Sequence, residues 1–169
     1  MGPVLLLNTA TRDCRHWFTE TVDYQNYDSI PKQLFDAGYD VWIGCKRATI
    51  YSDLYDDDHH HEEDEDAFAP PFMLKHTEDN EEDYFDFNTG TIGENDVPAF
   101  VRKILEKSRN DDTNECKKVQ IIGHSLGGAE ALVTLSSFPV TSERLISHLI
   151  NLAPCPIPTY QQADDRRVL

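Results

Sequence analysis

The 169-residue sequence predicts an α/β fold, a doubly wound and mostly parallel sheet with flanking helices. Three observations carry that expectation. Short apolar runs rich in Val, Ile and Leu are continuous, not alternating, as strands covered on both faces must be. Helical patterns lie between these runs. Strand and helix follow one another in turn, which implies βαβ crossovers.

The first run, "PVLLLN" (3–8), predicts a strand so near the first residue that a natural segment ahead of it is expected. "SIPKQLFDAGYD" (29–40) reads as a helix with Ser29 or Asp28 as its cap, Pro31 in its first turn and Gly38 as its stop. "DVWIGC" (40–45) is the second strand. Residues 53–83 are an acidic insert, read as a solvated, disordered loop off the sheet edge: about half of the 31 carboxylates lie between residues 53 and 86. "TIGENDVPAFVRKILEKSRN" (91–110) places Val97, Phe100, Val101, Ile104 and Leu105 on one helical face, with Lys107, Arg109 and Asn110 at its end. "KVQIIGH" (118–124) is the third strand. "SLGGAEALVTLSSF" (125–138) is a helix small and apolar almost all round, "TSERLISH" (141–148) a shorter one, and "HLINLAP" (148–154) the fourth strand. The whole is read as one domain, residues 1–169.

The composition also excludes functions. Net charge is −16, which repels phosphate backbones and gives no attraction to anionic lipid, so neither nucleic acid nor stable membrane insertion is expected. "MGPVLLLN" is too short for a signal peptide, and no stretch approaches a membrane span. Cys14, Cys45, Cys116 and Cys155 lack the spacing of a zinc module or disulfide scaffold and leave the redox compartment open. His59, His60 and His61 lie in the acidic stretch, where disorder outweighs a weak cation site. No metal and no cofactor is expected.

The chemistry concentrates at Gly123-His124-Ser125-Leu126-Gly127, a G-x-S-x-G pattern at the junction of an apolar strand and a small-residue helix. Such a turn projects the serine from a sharp corner. Side chains two residues on either side would collide with the adjacent strand and helix, so both positions need glycine. Leu126 opens the helix, and its amide is a donor for a developing oxyanion. His124 sits within the turn with its ring directed away from the serine. A working Ser125 needs an imidazole oriented by a carboxylate, and in this fold the order along the chain is serine, acid, histidine. His148 is the one histidine after Ser125 and reads as a helix C-terminal cap. Asp164 and Asp165 follow the last strand, with no histidine after them to orient.

The chain resembles the N-terminal half of the acid lipase family of α/β-hydrolases, which includes gastric and lysosomal acid lipases and steryl ester hydrolases. The resemblance lies in "PVLLLN…DCRHW" (3–17), "LFDAGYDVWIGCKRATIYS" (34–52), "YFDFNTGTIGENDVPAFVRKILEKS" (84–108), "VQIIGHSLGGAEALVTLSSFP" (119–139) and "LINLAP" (149–154). It implies a partial α/β-hydrolase fold, a hydrophobic ester substrate such as a triacylglycerol or steryl ester, and an acyl-enzyme on Ser125. It implies oxyanion donors at Leu126 and Ala10, and secretion or an acidic organelle. This chain departs from the family's pattern at several points. Asn8-Thr9-Ala10 stands in place of His-Gly-Leu, so Thr9 replaces the glycine that lets that loop come close. Gly44-Cys45-Lys46-Arg47-Ala48-Thr49 stands in place of GNxRGN, with Arg47 kept and the second glycine lost. Leu126 takes the place of the usual Gln.

Three readings follow. The chain is part of a lipid ester hydrolase, inactive in isolation because the triad acid and histidine are absent. It is a non-catalytic hydrolase-fold scaffold with the acidic loop as its contact surface. Or it is another serine hydrolase such as a thioesterase, which the elbow alone permits. In each case the last strand leaves an open edge that a partner or further residues must cover.

Overall fold

The computed structural model describes residues 1–9, 14–19, 29–47, 87–108 and 117–155. The acidic insert, His59 to His61, Asp164 and Asp165 lie outside these residues. Four strands form one sheet in the order β2-β1-β3-β4: β1 (Pro3–Leu7), β2 (Asp40–Gly44), β3 (Val119–His124) and β4 (Ile146–Leu152). All three pairings are parallel, the arrangement of a partial α/β-hydrolase fold.

The core explains the continuous apolar runs. β1 is buried at every residue because it lies inside the sheet. Successive side chains of a strand point to opposite faces. Leu5 and Leu7 accordingly join Ile121, Val97, Val101 and Ile104 in one cluster, while Val4 and Leu6 join Trp17 and Ile122 in another. Each face thus has its own apolar cover.

On the second face lie α1 (His16–Thr19) and α2 (Ile30–Asp36). Ser29 caps α2 by accepting from the Lys32 amide, buried Pro31 sits in its first turn, and Gly38 follows at φ +85°, a backbone shape that favours glycine. On the first face a single helical run replaces the regular helix expected over 91–110. It opens with α3 (Thr89–Thr91), capped by the Asn88 side chain, widens into the π-helical segment π1 (Ile92–Asp96), and continues as α4 (Val97–Lys107). The widening has a cause in Pro98, which has no N–H to donate and whose ring would strike the carbonyl four residues earlier. Val97, Val101 and Ile104 are buried, as the pattern predicts, and Phe100 and Leu105 pack against them.

Three sequence expectations are corrected. The helix after β3, α5 (Leu126–Ser137), is not covered all round: Leu132 is 40% exposed, and Ser136 and Ser137 are also at the surface. The next helix, α6, runs over Pro139–Leu145, so it starts two residues ahead of the expected Thr141, with Pro139 supplying its first turn. β4 begins at Ile146, which is buried and pairs with Val119. His148 therefore stands on an exposed strand position opposite Gln120 and caps no helix.

Among the described residues no helix is long and apolar enough to cross a membrane. Two short helices leave Phe18 (54% exposed) and Phe35 (70%) at the surface.

Candidate functional site

The strand-to-helix corner forms at the C-terminal end of β3. Ser125 sits there at φ +54°, ψ −118°, one of two non-glycine residues with positive φ among those described. Such a backbone costs on the order of 1–3 kcal/mol and persists only where its surroundings enforce it. The surroundings do enforce it. The Ser125 amide donates to the Leu152 carbonyl at 2.9 Å, and the Ser125 carbonyl accepts from Gly128 at 3.1 Å and from Cys155 at 3.2 Å. The second positive-φ residue, Ala153 at +44°, lies between Leu152 and Cys155, in the segment that makes these bonds.

The two elbow glycines are required by contact. A Cβ at Gly123 would lie 2.5 Å from the Gly128 Cα, and one at Gly127 would lie 2.5 Å from the Leu7 carbonyl oxygen and 2.7 Å from that of Asn8. The end of β1 is therefore pressed against the first turn of α5. Leu126 is the first residue of α5, and the first four amides of a helix have no intrahelical acceptor. Its partner in the sequence reading, Ala10, lies outside the described residues.

His124 makes its side-chain contacts on the α1 side. Its Nδ1 lies 3.2 Å from Nε2 of buried His16; the rings are stacked, with Trp17 edge-on to both. Among the described residues no histidine is hydrogen-bonded to Ser125: His16 and His124 contact each other and His148 is on β4. No cluster of three or more His, Cys, Asp or Glu among them is placed to hold a metal.

The structure adds charged groups that the sequence reading missed. Below the corner, Lys46 Nζ lies 2.9 Å from both carboxylate oxygens of Glu130 and donates to the Asn8 carbonyl at 3.0 Å. Both side chains are buried, at 4% and 0% exposure. Burial raises the Glu130 carboxyl to about 7, against the opposing pull of the Lys46 charge and hydrogen bonds, and the neighbouring Asp96 adds to the rise. Asp96, at the end of π1, takes the side chain and amide of Arg47, and the Arg47 guanidinium lies over Phe87. Glu130 carried a signal: one carboxylate in a run of small buried residues demands a partner. A second link was left open by the cysteine spacing. Cys14 and Cys45 form a disulfide, which ties the chain before α1 to the residue after β2. Cys155 is free and exposed.

Known proteins resembling the chain are lipases. It is 27% identical over 128 residues to lipase member N of Mus musculus, covering 76% of this chain and 25% of that protein. It is 26% identical over 141 residues to lipase member K of Homo sapiens, and 23% identical over 141 residues to gastric triacylglycerol lipase of Rattus norvegicus. Each of these matches covers 83% of this chain and 29% of the relative. The chain thus spans between a quarter and a third of the length of these relatives. No protein-family model and no solved structure matches it.

Proposed function

We propose that this chain, which belongs to an acid-lipase-like family, carries the nucleophile of a carboxylic ester hydrolase that cleaves lipid esters through a serine acyl-enzyme. Ser125 attacks the ester carbonyl, the Leu126 amide stabilises the oxyanion, and Ala10 supplies the second donor. The alcohol leaves with the proton taken from Ser125, and water then releases the acid. The observation that carries this reading is the Ser125 corner, with its positive φ and its two glycines, at each of which an added Cβ would meet backbone at 2.5 Å. An ordinary glycine-rich turn has no need of that strain. The lipase relatives support lipid esters over thioesters as the substrate class. The Cys14–Cys45 bridge supports an oxidising compartment.

A general base is still required. The family order puts acid and histidine after the serine, and among the described residues no imidazole is bonded to Ser125. The isolated 169-residue chain is therefore expected to turn over no p-nitrophenyl ester above a Ser125→Ala control. The longest natural form carrying these residues is expected to react with a fluorophosphonate probe at Ser125, and a long-chain ester should slow that labelling more than an acyl thioester does. Labelling that survives Ser125→Ala, or no labelling in that form, would defeat the proposal; such an unreactive corner would favour the scaffold reading.

A further inference from the structure

We infer that Lys46 is a positioning residue for the serine site, fastening the end of β1 to the helix that begins at the elbow; the inference rests on the hydrolase reading above. One ammonium group joins three elements. Lys46 follows β2, its Nζ holds the Asn8 carbonyl just past β1 at 3.0 Å, and it meets both oxygens of Glu130 on α5 at 2.9 Å. The same Asn8 carbonyl lies 2.7 Å from where a Gly127 side chain would begin. It is gripped by Lys46 and abutted by the turn that follows Leu126. The register between the backbone leaving β1 at Thr9 and the amide of Leu126 is thereby set.

The chemistry argues against a pair kept for stability alone. Taking an ammonium and a carboxylate out of water is costly, and apolar residues of like volume commonly replace such pairs without loss. An apolar side chain fills the space but cannot hold a carbonyl. Lys46 also sits beside Cys45, whose disulfide fixes Cys14, so both connections from the end of β2 reach the chain that follows β1.

The test uses the longest natural form carrying these residues and the double variant Lys46→Met/Glu130→Leu, which removes the two charges together and leaves the Asn8 carbonyl without this donor. The variant is expected to keep its circular dichroism and to lose about 10- to 100-fold in kcat on a p-nitrophenyl ester with KM little changed, as a small misplacement of reacting groups does. The backbone order parameter at Thr9, whose peptide group contains the Asn8 carbonyl, is expected to fall from the rigid range near 0.85 to below about 0.6, with β1 unaltered. A folded double variant with kcat and Thr9 order unchanged overturns the inference. If the wild type fails to react at Ser125, the hydrolase reading falls and the Thr9 measurement alone decides the positioning role. If the double variant does not fold, Glu130→Leu alone removes both acceptors on α5 while keeping the ammonium, and the same two readouts decide in the same directions.

Discussion

At Gly127 the space for a side chain is closed by backbone, since an added Cβ would meet the Leu7 and Asn8 carbonyl oxygens at 2.5 and 2.7 Å. At Gly128 the nearest obstacle to an added Cβ is the tip of a side chain, Asn151 Oδ1 at 2.6 Å, which among the described residues has no hydrogen-bond partner to lose. The two neighbours should therefore respond differently to the same substitution. Gly127→Ala is expected to destabilise the fold by about 1–3 kcal/mol through overpacking. Gly128→Ala is expected to be near neutral, because Asn151 can turn aside and alanine gains up to about 1 kcal/mol of helix propensity. Urea unfolding of the two variants checks this; equal losses would contradict it. The glycine requirement was legible in the sequence because a strand, a serine corner and a helix leave no room two residues away. Lys46 and Glu130 were not, since 84 residues separate them. Only the anomaly of a carboxylate among small residues hinted at a buried partner. The His16 contact with His124 was hidden for the same reason, being a meeting of residues 108 apart.

Among the elements, the inner strands are the most legible, because burial of β1 and β3 on both faces writes itself as uninterrupted Val, Ile and Leu, whereas the rim strand β4 starts two residues ahead of its expected place and is partly exposed. Helix ends were read less well. Pro139 supplies the first turn of α6, so the helix ends at Leu145 and His148, expected as its cap, lies on β4. Periodicity also does not reveal π1, since Pro98 is compatible with a helix start as well as with a widened turn. The disulfide joins the chain ahead of α1 to the end of β2 across 31 residues. Closing a loop of that length is worth roughly 3–4 kcal/mol in the chain-entropy account. Cys14→Ala/Cys45→Ala is accordingly expected to lower the denaturant midpoint by that equivalent, and a reductant should do the same to wild type but nothing further to the variant. An unchanged midpoint in the variant would show that the bridge does not form.

For the molecule as a whole, acidity is the dominant electrostatic fact, with a net charge of −16. One carboxyl opposes the usual behaviour of an acid. Because burial holds Glu130 at about 7 in the fold, against 4.5 for an unburied glutamate, the native state keeps a proton that the unfolded chain releases. Stability from this group is thus greatest below about 4.5 and declines as pH rises towards 7, by a total on the order of 3 kcal/mol. Lys46, Asp96 and the general negative charge face the same group or the same pH range, so the test is a difference. Glu130→Gln should flatten the stability curve between pH 4.5 and 7 relative to wild type, and an unaltered slope would show that Glu130 stays ionised throughout. The sheet class and its parallel sense were legible, since alternation of strand and helix admits little else, but the strand order β2-β1-β3-β4 depends on contacts no local pattern records. β4 forms one rim of that order, and its chain also receives both peptide groups of Ser125, through Leu152 and Cys155. Any segment that zips onto this rim therefore bears on the same backbone that holds Ser125 at its positive φ. Finishing the sheet and steadying the serine corner become a single mechanical event.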